Sequence, residues 1–246
     1  MKVSIITVCF NSESTISDTI DSVLKQTYKD IEYIIVDGCS TDGTMDIVRR
    51  YGDSIDVVVS EKDKGLYDAM NKGLKLASGD LIGILNSDDI LSSHHIIEEI
   101  VEHVDSHDGV YADIGFYDNS LTSKTRHYSS KGFHKGKFSR GFMPAHPSCY
   151  LRRSVIEKVG EYSLAYKIAA DFDYLLRAFS IQGTSFNYLN KEVVKMREGG
   201  VSTSGLSANI LLNREIIQSC QNNGVYCSWL SILSKYPEKL LGLIFK

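Results

Sequence analysis

The first third of the chain is a succession of short apolar runs separated by amphipathic stretches. Val3–Cys9 is an unbroken, largely β-branched run, the pattern of a strand buried on both faces. From Ser12 onward Ile16, Ile20, Val23 and Leu24 share one helical face, with Ser12 placed to cap it. Ile31–Val36 predicts a second strand, and the polar cluster from Asp37 to Gly43 a turn. A helix over Thr44–Tyr51 and a third strand over Asp56–Ser60 follow. The next helix runs from Gly65 to Ala77, and Gly79 is read as its left-handed cap. Leu81–Leu85 predicts a fourth strand that ends in Asn86-Ser87-Asp88-Asp89. Strand and helix in this rhythm imply an α/β fold, with parallel strands joined by right-handed crossovers.

The second half is less regular. Gly109–Tyr117 reads as a strand, and Asp118–Ser139 as a hairpin or a mobile loop. Helices are predicted from Ser154 to Val159 and from Ala169 to Ser180, then a flexible Glu198–Ser202 loop. Two more helical segments lie beyond Ser204, with Pro237 dividing the last stretch.

With 246 residues, 43% of them apolar, the chain is long enough for one large domain with an appendage. A net charge of −4 leaves no basic footprint for nucleic acid, so none is expected as a partner. Phosphates on a substrate would then need local help from a metal or from helix N-termini. The five cysteines are scattered and form no CxxC pair, which favours a reducing cytoplasm over a disulfide framework. Neither a signal peptide nor a spanning helix is predicted.

In an open parallel sheet, ligands bind beyond the carboxyl ends of the strands. Acids stand at three such ends: Asp37, Asp63 and the Asp88-Asp89 pair. No GxGxxG follows the first strand and no GxxxxGK[ST] occurs, which weakens dinucleotide and P-loop readings. Carboxylate oxygens at Asp88 and Asp89 suit Mg²⁺ or Mn²⁺, although Asp89 or Ser92 could instead cap the helix that holds Ile96 and Ile100. His95, Glu99, His103 and His107 recur every four residues and are read as a solvated stripe, not a metal site.

Several ordered blocks resemble the family 2 glycosyltransferases, which have the GT-A fold. They are Ile5–Asn11, Val36–Thr44, Ser60–Gly73, Leu85–Asp89 in the place of the DxD metal region, His146-Pro147, Ala169–Asp173 and Arg197–Ser202. The resemblance spans about residues 3–203 and implies a GT-A-like, mostly parallel sheet flanked by helices, over 1–205. A helical C-terminal extension would occupy 206–246. It implies that Phe10, Asn11 and Asp37 hold uracil and ribose, that Asp63 lies near the base, and that Asp88 and Asp89 hold ribose and a Mn²⁺ or Mg²⁺ on the diphosphate. Asp171 would deprotonate the acceptor hydroxyl in one inverting displacement. His146 is read as a structural or acceptor-side histidine, and Arg197 as either a lid residue over the diphosphate or a surface residue. Two positions depart from the family pattern: Asn86 stands at the first DxD position, and Ala170 where a glutamate usually precedes the base.

The implied reaction moves a sugar from a nucleotide diphosphate sugar, UDP-linked, to a hydroxyl of a growing lipid-linked glycan, in the manner of bacterial surface polysaccharide or O-antigen assembly. At a helix N-terminus Asp171 would be a weak base, and burial would have to raise its pKa. A nucleotidyltransferase and a non-catalytic nucleotide-sugar-binding scaffold are the rival readings. The tail alternates Trp229, Leu230, Leu233, Leu240 and Leu241 with lysines. It fits either an interfacial helix on the inner face of an anionic membrane or a helix packed on protein, and a homo-oligomer is left open.

Overall fold

The computed structural model describes residues 1–199 and 206–234. Among these, nine strands form one sheet: β1 (Val3–Cys9), β2 (Ile31–Asp37), β3 (Val57–Ser60), β4 (Leu81–Ile84), β5 (Ile90–Leu91), β6 (Gly109–Tyr117), β7 (Lys124–Tyr128), β8 (Tyr150–Arg152) and β9 (Phe186–Arg197). Their order is β3-β2-β1-β4-β8-β6-β9-β5, with β7 paired to β6. Strands β3, β2, β1 and β4 are mutually parallel, so their carboxyl ends lie at one edge. β8 runs antiparallel to both β4 and β6, which points β6 and its parallel partner β9 the same way as β4.

β1 and β4 are buried along their whole length, and alternate residues of β1 and β2 feed two cores. Val3, Ile5, Tyr33 and Ile35 face α1 (Ile16–Leu24), α2 (Thr44–Arg50) and α4 (Ile96–Val104). Ile6, Val8, Ile34 and Val36 face α3 (Leu66–Leu76), α5 (Arg153–Val159) and α6 (Ala170–Ser180). Helices α7 (Leu206–Asn222) and α8 (Trp229–Leu233) join that second core through Ile216, Cys220, Cys227 and Ile232. All five cysteines are free. Among the described residues, no helix is long and apolar enough to cross a membrane.

Two end signals act differently from the reading above. Ser12 does not cap α1, whose first residue is Ile16. Its hydroxyl instead meets the Ser87 hydroxyl at 2.8 Å, and its carbonyl accepts the Thr15 and Ile16 N–H groups. Gly79 is not left-handed; a Cβ there would stand 2.7 Å from Ser4 N and 2.8 Å from Lys2 O, so a close approach of backbones is what demands glycine. Neither Asp89 nor Ser92 caps α4, which starts after His95. Strands β5, β8 and β9 carry no strong sequence signal, and Asp118–Ser139 proves to hold the hairpin strand β7. Pro237 and the apolar tail beyond it lie outside the described residues, as do Gly200, Val201 and Ser202.

Candidate active site

The register Cys9↔Asp37 and Asp37↔Ser60 brings the ends of β1, β2 and β3 level. Asp37, expected at the nucleotide, is fully buried. Its carboxylate accepts from Ser40 N–H, from the Ser40 hydroxyl at 2.5 Å and from the Ser60 hydroxyl at 2.6 Å, so in this state it builds the turn and faces no solvent. The Asn11 side-chain carbonyl accepts the Thr41 N–H at 2.8 Å, and Ser40 Oγ accepts the Asn11 N–H. Phe10, 61% exposed, stands free beside this turn.

Asp63 reaches the same place from the β3–α3 loop. One oxygen accepts Gly65 N–H at 2.8 Å, and the other lies where a Cβ on Gly38 would collide with it, at 2.4 Å. The same missing Cβ would sit 3.4 Å from the Phe10 ring, so Gly38 keeps a slot between Phe10 and Asp63 open. Next to it Cys39 has a φ of +65°, a conformation that costs an L residue about 1–2 kcal/mol. Part of that relief is offset by the extra chain entropy of glycine. Cys39→Gly is expected to raise stability by roughly 0.5–1 kcal/mol net, read from urea denaturation.

The loop after β4 separates its two acids. Asp89 is fully buried; burial first, and the neighbouring Asp88 charge second, push its carboxyl well above the usual range. One of its oxygens accepts from Asn86 Nδ2 at 3.2 Å, while Asp89 Oδ1 and Asn86 Oδ1 are buried without a partner. Asp88 is half-buried, and its carboxylate makes no hydrogen bond or ion pair among the described residues. Orphaned hard oxygens on Asp89 and Asn86 beside a free carboxylate are a donor set that Mg²⁺ or Mn²⁺ fits, with one or two protein carboxylates and substrate phosphates completing the shell.

Arg197, at the end of β9, is 9% exposed and ties this loop to the Asn119 turn and to α1. Its guanidinium donates to the carbonyls of Asp88 at 2.7 Å and Asn119 at 3.0 Å, and pairs with Asp18 Oδ2 at 2.5 Å. All three nitrogens are thus engaged on protein. His146 is also internal: its Nε2 lies 2.8 Å from the Tyr162 hydroxyl, and burial pushes its pKa down to about 4, so it is a neutral core residue. No side chain of the His95–His107 stripe joins a metal-binding group among the described residues; Glu99 pairs instead with Lys191 at 2.5 Å.

Asp171 occupies the first turn of α6. Burial pushes its pKa up to about 6, against the Phe172 N–H that donates to Oδ1 at 2.7 Å. The Tyr67 hydroxyl of α3, which donates to the Ile168 carbonyl at 2.5 Å, stands beside it and links it to the Asp63 loop. The other nearby influence is Glu215 of α7, which the sequence reading missed. Its buried carboxylate accepts three successive N–H groups, Lys167 and Ile168 at 2.9 Å and Ala169 at 3.0 Å. Asp173 is 4% exposed; it pairs with Arg177 at 2.8 Å and accepts the Ser219 hydroxyl of α7.

Three strand ends supply acids to this set of loops, and Tyr67 sets the helix-start acid Asp171 beside the Asp63 loop. Residues 4–160 match the profile of glycosyl transferase family 2. The chain belongs to this family. A PGL/p-HBAD biosynthesis glycosyltransferase of Mycobacterium tuberculosis is 29% identical over 223 residues, 87% of this chain and 82% of the relative. A putative teichuronic acid biosynthesis glycosyltransferase of Bacillus subtilis is 46% identical over 90 residues, 35% of this chain and 36% of the relative. The fold is GT-A. S. aureus TarS, solved with UDP-GlcNAc, superposes with a TM-score of 0.71 at 20% identity over 90% of this chain and 67% of that one. A mannosyltransferase from Pyrobaculum calidifontis, solved with GDP-Man and Mn²⁺, gives 0.65 at 18% identity over 90% of this chain and 64% of that one. This glycosyltransferase thus combines a parallel half-sheet with a mixed half, whose strand β9 carries Arg197 to the β4 loop.

Proposed function

We propose that this family 2 glycosyltransferase moves a sugar, with inversion, from a UDP-linked donor to a hydroxyl of a growing lipid-linked glycan of the cell surface. Support for the donor comes from the slot between Phe10 and Asp63, walled by the Asn11 turn that Asp37 holds together. Support for the acceptor class comes from the relatives, one a PGL/p-HBAD biosynthesis glycosyltransferase and one a putative teichuronic acid biosynthesis glycosyltransferase. Residues 1–205 would form the catalytic unit and 206–246 a helical extension that braces it through Glu215. The enzyme would work in the cytoplasm, at the inner face of the membrane.

The observation that carries the reading is Asp171, a carboxylate at a helix start whose burial moves its pKa to about 6. It is then a usable general base near neutral pH. Its oxygen would take the proton of the acceptor hydroxyl as that oxygen bonds to the anomeric carbon and the bond from that carbon to the diphosphate oxygen breaks. Asp88 would hold the divalent cation, with Asn86 and Asp89 beside it and the Arg197 guanidinium fixing the loop. When bound, such a cation neutralises charge on the diphosphate leaving group.

The test is nucleotide diphosphate release from a panel of UDP-sugars with Mn²⁺ or Mg²⁺, with and without EDTA, and with a glycan-lipid extract as acceptor. Release from one donor that EDTA stops and Asp88→Ala abolishes is the expected result. Tight nucleotide binding with no release from any donor would favour the non-catalytic scaffold.

A further inference from the structure

The chain carries 31 acidic and 27 basic residues, yet they are unevenly placed. No aspartate or glutamate occurs between Asp118 and Glu157, a stretch with eight lysines and arginines, and none between Glu215 and Glu238. The fold brings these two acid-free segments together. Residues Lys135–Arg140 form a 3-10 turn, and Arg140 holds the end of α8 through Nε to Ser234 Oγ and Nη2 to Ser234 O, each at 3.0 Å. Phe138 and Ile232 are buried beneath this junction. On its outside, Tyr226 and Leu230 are each 81% exposed, Leu233 52% and Trp229 47%. Lys131, Lys135 and Lys137 make no ion pair among the described residues.

We propose that this face, the Lys131–Arg140 segment together with Tyr226 and α8, docks on an anionic lipid bilayer. Tyrosine and tryptophan settle at headgroup depth, leucines reach the acyl boundary, and lysines beside them meet lipid phosphates. A second copy of the chain is a poorer occupant. A two-fold interface sets the same patch against itself, and these acid-free segments offer no carboxylate to pair with the lysines. The site gives the surface a use: the Phe138 ring packs 5.4 Å from the ring of Phe172, the residue after Asp171. A lipid-linked acceptor entering from this face would arrive beside that carboxylate. The docking itself stands apart from the sugar-transfer reading and is measured without donor or acceptor.

Trp229 is the only tryptophan, so the fluorescence of the full chain reports on the patch directly. Vesicles of equal parts phosphatidylglycerol and phosphatidylcholine are expected to shift its emission to the blue and to sediment the protein, with the effect weakening as salt is raised. Pure phosphatidylcholine vesicles should do so far less. Leu230→Glu should lower partitioning by about tenfold or more, and the Lys135→Glu, Lys137→Glu pair by a similar factor on anionic vesicles. All four side chains changed or probed here are at the surface, and unchanged melting temperatures would confirm intact folding. An emission spectrum that anionic vesicles leave unmoved, equal partitioning of wild type and variants, or a dimer that shields Trp229 without vesicles would each overturn the proposal.

Discussion

Asp171→Asn is expected to lower sugar transfer by about 10²–10⁴-fold while leaving nucleotide binding, followed by calorimetry, close to wild type. The substitution keeps the size of the side chain and removes only its capacity to take a proton. The wild-type pH profile carries a second signature of the same group. A base acts when deprotonated, and burial raises this one from an ordinary 3.8 to about 6. Activity per donor should therefore rise with pH through about 6 and fall roughly tenfold per unit below it. An acid limb near 4, or an asparagine variant with full activity, would remove Asp171 from the role of base.

Glu215→Ala should be the most destabilising single change near the site. It leaves the buried N–H of Ala169 and the part-buried N–H groups of Lys167 and Ile168 without their acceptor. At about 1–3 kcal/mol for a buried orphaned donor, and less for two that regain water, a loss of roughly 3 kcal/mol is expected. For a chain of this size that lowers the melting temperature by about 6–12 °C. Glu215→Gln separates bracing from electrostatics. It keeps one acceptor oxygen and the side-chain volume but removes a negative charge that raises the Asp171 pKa. The acid limb of the activity profile should then move to lower pH, which a purely structural role for Glu215 would not produce.

How far the sequence foretold this arrangement depends on whether a signal is local. β1, β2 and β4 are legible because a strand buried on both faces must be apolar throughout, and Val3–Cys9 or Leu81–Ile84 can hardly be anything else. β9 is not, because Asn190 and Lys191 interrupt its apolar residues where its register against β6 shifts between Ala112 and Asp113. β8 has only three residues and takes its conformation from the strands on either side. The strand-end acids were legible from topology alone, since the parallel half-sheet dictates where ligands bind. What burial does to them was not. Asp37 is tied by Ser40 and Ser60, Asp89 is enclosed beside Asn86, and His146 is neutral in the core against Tyr162. Glu215 acts on backbone 46 to 48 residues before it, and Arg197 on a carbonyl 109 residues before it, so neither leaves a local pattern to read.

The position of β9 also bears on the order in which the chain can fold as it is synthesised. The half-sheet β3-β2-β1-β4 is complete once Ile84 has emerged, and its strands need nothing later to pair with one another. β5 is different: it follows β4 almost at once, yet among the described residues its strand partner is β9, through Ile90↔Lys195 and Leu91↔Val194. The loop that carries Asp88 and Asp89 stays untied on one side until about a hundred further residues have been made and Arg197 arrives at the Asp88 carbonyl. During that interval the inner edge of β6 is an open template for foreign strands. A ribosome stalled between β8 and β9 would hold a chain with its parallel half-sheet formed and the Asp88–Asp89 loop still loose.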